Sequence, residues 1–394
     1  VSSKPRILFL SHSASRNGAT ILLLHFLQWL KANANLQCEV LMNGRGELLD
    51  DFRAVCPTRV WRSPAFLLGS LPRPWQRLLK PQLETQSLKA LLRARRYDLV
   101  YVNTVAPWQH VPFLATRTPS LLWHIHELEY AVRHITGDSG WRETFPLARR
   151  FVAVSESVKT CLTAQLGVPA DKVDLVNGFI VPAGVSTEEH NLIRRRIRGE
   201  LNWPANAFVV GGCGTLGWRK GSDVFLQIAQ AMRARGVGDI RFFWVGGGGG
   251  EDALQFNHDL RAMNLEKCCH RIPHTARPAD YYHAMDAFAL TSREDPYPLV
   301  MLEAGAVGLP MVCFENSGGG PEFAQAGAGL IAPYMDVSAF TEHLTNLQAN
   351  PDLRRQLGVE AARLVQSRHT VEMQAPKLLS SIERCLRPPD TLLS

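Results

Sequence analysis

In the segment TSREDPYPLVMLEAGAVGLPMVCFE, Thr291 to Glu315, two carboxylates stand at Asp295 and Glu303 with seven residues between them. A strand, DAFALTS, ends at Ser292, and Pro298 suits the first helical position, where its missing N–H costs nothing. Gly308 caps that helix and Pro310 prevents its continuation before the next strand. The amides of Leu299 and Val300 open the helix, and such a terminus attracts phosphate through oriented donors and the macrodipole. Glu303 lies four residues after Leu299 on the same face, where a carboxylate can accept hydrogen bonds from a ribose diol. Asp295, in the loop ahead, can bind sugar hydroxyls. Without a ligand, Asp295 caps a turn and Glu303 is an exposed helix residue; this segment alone does not separate the two readings.

Three other segments can carry chemistry. In GGCGTLGWRKGSDVFLQIAQ, Gly211 to Gln230, a buried strand runs into glycines, then Arg219 and Lys220, then a helix opening at Ser222 and Asp223. Glycines let a backbone approach a ligand, and the two cations suit a diphosphate. The bland alternative is a strand-to-helix connection with surface cations. The loop SHSASRNGATILLL follows the first strand and places Asn17 and Gly18 before a helix; a simple turn explains the glycine nearly as well. In LLWHIHELEY, His124 and His126 point the same way at a strand end, with Glu127 and Glu129 after them. Two histidines beside carboxylates raise the possibility of metal, but no complete ligand set is apparent.

These segments need a scaffold that holds strand ends together. Short apolar runs at Arg6–Leu10, Gln37–Met42, Asp98–Asn103, Ser120–His124, Phe151–Val154 and Lys172–Val176 alternate with amphipathic stretches of helical length. The rhythm restarts after the charged stretch Val181 to Glu200, with Phe208–Gly212, Ile240–Val245, Ala287–Leu290, Met311–Phe314 and Leu330–Ala332. Repeated βαβ units predict α/β architecture: two doubly wound, parallel-sheet domains, with strand C-termini facing a cleft and a boundary near residue 182. Helical segments are expected over Asp352–Gln366 and Val371–Leu386.

At 394 residues the chain has room for two cores. Its net charge of +7 suits anionic partners without choosing among them. No apolar run is long enough to span a bilayer, and the N-terminal VSSKPRILFL begins a strand and lacks the features of a signal peptide. The eight cysteines form no CxxC pair, so reduced thiols and a cytoplasmic location are expected. Basic residues are spread out, with no nucleic-acid recognition motif. One stretch breaks the pattern: Arg59 to Lys80 holds five basic residues, no acidic ones, two tryptophans and three prolines. It reads as an irregular loop packed on the N-terminal sheet, or as a peripheral surface for anionic lipid.

The text around Asp295 and Glu303 resembles the acidic, seven-residue spacer, acidic signature of retaining glycosyltransferases of family 4. The resemblance covers essentially the whole chain, closely in the C-terminal half and loosely in the N-terminal half. It implies the GT-B fold, with residues 1–182 on the acceptor side, 183–370 holding a nucleotide diphosphate sugar, and 371–394 crossing back to the N-terminal domain. It implies that Lys220, in its Lys-Gly pair with Gly221, binds the donor diphosphate and helps the leaving group depart. The family often has an Arg where Thr215 stands, and Arg219 can substitute for it. Glu303 matches the ribose-binding position. Asp295 takes the first acidic position, where the family has Glu; Glu294 is the alternative and spacing favours Asp295. Leu299 and Val300 contribute donor-binding amides, Gly18 approaches the donor phosphates, and His126, with His124 as the alternative, stands beside the transferred sugar. Weaker matches lie at Ser155, Asn177–Phe179, Gly318 and Gly319 before Glu322, and the glycines Gly246 to Gly250. The resemblance implies retention at the anomeric carbon, a donor phosphate oxygen as proton acceptor, and no metal or other cofactor. The acceptor (glycan, lipid-linked sugar or small molecule) is not implied. A nucleotide-sugar epimerase on the same fold and a non-catalytic sugar-nucleotide-binding module are the rival readings.

Overall fold

The computed structural model describes residues 4–61, 72–92, 95–236, 238–273, 275 and 277–387. The chain divides into two compact units, one made of Val1–Asn177 with Val371–Ser394, the other of Gly178–Thr370. The division therefore falls at Asn177, ahead of the boundary near residue 182 that the change in composition suggested.

The first unit is built on β1 (Arg6–Ser11), β2 (Gln37–Met42), β3 (Thr58–Val60), β4 (Leu99–Asn103), β5 (Leu121–Ile125), β6 (Arg150–Ala153) and β7 (Val173–Leu175). They form one parallel sheet in the order β3-β2-β1-β4-β5-β6-β7. The central strands are buried nearly end to end, as expected where helices cover both faces. The final helix, Val371–Leu386, packs in this unit: its Cys385 carbonyl accepts from Ser120 Oγ (2.7 Å) and from Arg149 (3.0 Å), and Leu378 and Ile382 are fully buried.

The second unit repeats the plan with β8 (Phe208–Cys213), β9 (Ile240–Val245), β10 (Cys269–Ile272), β11 (Ala287–Leu290), β12 (Met311–Phe314) and β13 (Gly329–Ala332). These form a parallel sheet in the order β10-β9-β8-β11-β12-β13. Phe225, on the helix after β8, packs edge-on against Phe242 and Trp244 of β9, so the start of that helix is anchored in the core.

The apolar runs read from the sequence coincide with eleven of these thirteen strands. The two others, β3 and β10, are edge strands reading TRV and CHRI, too short and too polar to show as apolar runs. The expected irregular loop at Arg59 to Lys80 is corrected in part. Its start belongs to β3, and from Arg73 onward it is the helix Arg73–Leu91, with Pro72 as the preceding cap and a proline in the first turn, where proline is tolerated. Residues 62–71 of that stretch lie outside the described residues.

The strand order fixes where ligands belong. In the first sheet the winding reverses between β1 and β4; in the second it reverses between β8 and β11. Loops leaving the carboxyl ends of β1 and β8 therefore sit at topological switch points, where doubly wound sheets bind their ligands. The first of these loops leads into Gly18 and the second carries Lys220.

Candidate active site

In the second unit, β8 ends at Cys213 and the chain turns through Trp218–Lys220 into the helix Ser222–Ala234. Gly221 makes this turn possible. Its φ is +65°, and a Cβ there would lie 2.0 Å from the Thr291 carbonyl oxygen. Because the backbones approach so closely, Thr291 Oγ1 donates to the carbonyls of Lys220 (3.2 Å) and Gly221 (2.9 Å). Arg219 adds two stitches: its carbonyl accepts from Arg293 N (2.9 Å), and its guanidinium donates to the Glu294 carbonyl (3.1 Å). Arg293 in turn forms a two-pronged pair with Asp223 at 2.7 and 2.8 Å and lies over the Trp218 ring. The turn is thus clamped to the loop after β11.

Lys220 Nζ meets Asp295 Oδ2 at 2.5 Å, with the two side chains 17% and 6% exposed. Ser292 Oγ donates to the same oxygen at 3.2 Å. The Asp295 backbone is held as well, donating to Ser317 O (2.7 Å) and accepting from Gly319 N (3.1 Å). Gly319 is required here, since a Cβ would meet the Tyr297 ring at 2.4 Å and the Pro296 carbonyl at 2.6 Å. Of the two candidate acids, Asp295 is the one paired with Lys220, while buried Glu294 gives its carbonyl to Arg219.

The next helix is Leu299–Ala306, with Pro298 as the residue before it, one position short of the expected first helical place, and Gly308 past its end at φ +81°. Pro298 supplies no side-chain cap, so the amides at Leu299 and Val300 have no intrahelical partner. Glu303, one turn on, is half-buried rather than exposed, and its Oε2 accepts from Tyr282 Oη at 2.7 Å. Burial raises its pKa above the usual carboxylate value, and the Tyr282 bond partly offsets that rise. Cys213, at the end of β8, bonds Tyr282 and feels the charges of both Glu303 and Lys220; burial pushes its thiol up to about 12. Lys220, Asp295 and Glu303 therefore gather at one edge of the second sheet.

In the first unit, the loop after β1 ends at Asn17, whose Oδ1 accepts from Thr20 N (3.1 Å) and so caps the helix Gly18–Asn33. Gly18 is its exposed first residue. Asn103, at the end of β4, donates from Nδ2 to the Ala19 carbonyl (3.2 Å). Its Oδ1 is therefore the oxygen facing His126 Nε2 at 3.0 Å, so that nitrogen carries the imidazole proton. Burial, with His12 nearby, lowers the His126 pKa to about 3. The His124 ring lies 4.1 Å from that of His126, but it is buried and tied through Nδ1 to Tyr101 Oη (2.6 Å). His126 is the less buried of the two. Glu127 Oε2 accepts from the amides of His126 (3.0 Å) and Val105 (3.2 Å), and Glu129 pairs with Arg133 (2.9 Å). The carboxylates after the histidines are thus engaged in local structure. Among the described residues no three of His, Cys, Asp and Glu gather as a metal-holding group.

The weaker matches have plain structural places. Ser155 caps the helix Glu156–Thr160, Asn177 Nδ2 donates to the Val154 carbonyl (3.2 Å), and Gly246 begins a turn beside Gly214, whose carbonyl accepts from Trp244 Nε1 (3.0 Å). Three residues of these clusters carried no forecast. Asn103, a polar residue ending an apolar strand, was a usable signal. Ser292 was visible as a neighbour of Asp295. Tyr282 was not, because a tyrosine at that place in an amphipathic helix reads as core.

Two parallel, doubly wound sheets with these loops at their switch points are the architecture of the GT-B fold. The solved structure of HepE from Anabaena in complex with UDP-glucose superposes with a TM-score of 0.78 at 19% identity, over 96% of this chain and 100% of that one. The family model described as Glycosyl transferases group 1 matches residues 207–350, and that described as Glycosyltransferase Family 4 matches residues 16–184. Both models describe glycosyltransferases, and between them they match a stretch of each unit. Among its relatives, an uncharacterised glycosyltransferase of Haemophilus influenzae is 29% identical over 154 residues, 39% of this chain and 42% of that protein. That match spans less than half of the relative's length. The D-inositol 3-phosphate glycosyltransferase of Corynebacterium jeikeium is 25% identical over 74% of this chain and 75% of its own.

Proposed function

We propose that the chain transfers a sugar from a nucleotide diphosphate sugar to an acceptor hydroxyl, with retention at the anomeric carbon. The observation that carries this reading is the Lys220–Asp295 pair at the β8 switch point, on the same sheet edge as Glu303 and the opening of the Leu299–Ala306 helix. In this assignment Lys220 and the amides of Leu299 and Val300 bind the diphosphate, Glu303 takes the ribose diol and Asp295 takes sugar hydroxyls. The bond from the anomeric carbon to the diphosphate oxygen breaks, the acceptor oxygen bonds on the same face, and the acceptor proton passes to the departing phosphate oxygen. Lys220 lies where negative charge develops, which is the place for electrostatic help. Arg219 acts chiefly by holding the turn. No metal is needed in this scheme, since Lys220 and the helix opening neutralise the leaving group.

Turnover of UDP-glucose and other nucleotide sugars, followed as released nucleoside diphosphate across an acceptor panel, tests the reading. Lys220→Ala should lower kcat by about 10²–10³ with the fold intact, the scale for losing one transition-state donor. A chelator should leave the wild-type rate unchanged. Full activity in Lys220→Ala would refute the assignment.

The Arg73–Leu91 helix carries Trp75, 57% exposed, and with the five basic residues of the Arg59 to Lys80 stretch, three of them in this helix, it supports a peripheral contact with anionic lipid on the inner membrane face. No described helix is long and apolar enough to cross a membrane. Sedimentation with vesicles containing phosphatidylglycerol, and none with pure phosphatidylcholine, is the expected result; Trp75→Ala should weaken it. No binding to either dismisses the contact.

A further inference from the structure

A cavity of about 630 Å³ opens in the first unit at the amino edge of its sheet, around the starts of β1, β2 and β3. It is remote from the loops described above. The six-residue β1 separates Arg6 on the cavity from the His12 loop by roughly 17–20 Å at the usual strand rise. Five cations line it, Lys4, Arg6, Lys31, Arg59 and Arg95, against a single carboxylate, Glu39.

That carboxylate is fully used. Its Oε1 takes Arg59 at 3.0 Å and Arg95 at 2.5 Å, and its Oε2 accepts from Tyr97 Oη at 2.9 Å. Two half-buried guanidiniums therefore share one negative charge, which leaves positive charge at the bottom of a concave site. Lys31 adds to it from the rim, with Nζ held on the Ala54 carbonyl at 2.9 Å, and Arg6 does so from above the Tyr97 ring. The thiols lining the cavity do not cancel this. Burial, with Cys56 alongside, pushes Cys38 up to about 12, and burial pushes Cys56 to about 11, so both stay neutral at physiological pH. The rest of the lining includes Gln37 but is mostly aliphatic, with Leu36 and Val55 half-buried and Leu27 and Leu30 buried. Positive charge on one side and hydrocarbon on the other suit an amphiphile with an anionic head.

We infer that this cavity binds a phosphomonoester carried on an apolar body, as a second site separate from the donor site. The phosphate neutralises the excess charge of Arg6, Lys31, Arg59 and Arg95, and the apolar body covers the half-buried Leu36 and Val55.

Calorimetric titration of the full chain with hexyl phosphate and with inorganic phosphate, and sedimentation with phosphatidylcholine vesicles carrying phosphatidic acid, tests this. Saturable binding of hexyl phosphate, tighter than that of inorganic phosphate, is expected in wild type and unchanged in Lys220→Ala. Binding should weaken about tenfold in each of Arg6→Gln and Lys31→Gln, the scale for one charged hydrogen bond. Both positions are exposed, so neither change threatens the fold. Binding confined to the phosphatidic acid vesicles, and weakened by the same two changes, supports the same chemistry with a lipid as its source. Loss of binding in Lys220→Ala, equal affinity for inorganic and hexyl phosphate, or no dependence on Arg6 and Lys31 in either arm overturns the inference.

Discussion

Lys220 and Asp295 form a nearly buried ion pair in which a hydroxyl also donates to the shared carboxylate oxygen. Such a pair compensates the desolvation of its charges only when its geometry and hydrogen bonds are good, so each member holds the other in place. His126 follows the opposite logic, since burial keeps it neutral. Its folded pKa of about 3 lies below the ordinary 6.5, so between these values the unfolded chain binds the proton and the folded chain does not. This contribution to stability is present in full above pH 6.5 and is lost as the pH falls from 6.5 toward 3. A thermal melt series over that window should show a falling Tm in wild type and a shallower fall in His126→Asn. An unchanged slope in the variant would mean that the imidazole is not held neutral by the fold. At this scale the sequence was partly legible. Lys220 and Glu303 could be singled out in the sequence, and the structure sets both near Cys213 at the end of β8. The choice between Glu294 and Asp295 did not, because side-chain direction in an irregular loop follows no period.

At the scale of the element, the turn between β8 and the Ser222–Ala234 helix depends on close backbone contact. Gly221→Ala would place a Cβ against the Thr291 carbonyl in a left-handed conformation, where no small shift relieves both problems. We expect a loss of about 1–3 kcal/mol in unfolding free energy, with weakened donor binding because Lys220 leaves its place. Denaturant unfolding and nucleotide titration of the variant check this. Wild-type stability and binding together would show that the turn is not under this constraint. The turn could be read from its glycines and cations at the end of an apolar strand. The edge strands β3 and β10 could not, since TRV and CHRI lack both apolar continuity and alternation. The helix Arg73–Leu91 was hidden by prolines that fall at its beginning, where they do no harm.

At the scale of the whole molecule, the repeated βαβ rhythm revealed two parallel sheets, because strands covered on both faces read as plain apolar runs. Strand order was not legible, and strand order is what places the β1 and β8 loops at switch points. The division at Asn177 was also obscured, because composition changes only a few residues later, at the charged stretch beginning near Val181. The central claim is that the second unit grips a nucleoside diphosphate through Lys220, the start of the Leu299–Ala306 helix and Glu303 held by Tyr282. Titration calorimetry with UDP and with other nucleoside diphosphates measures it directly. At least one should bind wild type saturably, and its affinity should fall about tenfold or more in both Lys220→Ala and Glu303→Ala, the scale for losing a charged hydrogen bond. Equal affinity in wild type and both variants would contradict the account.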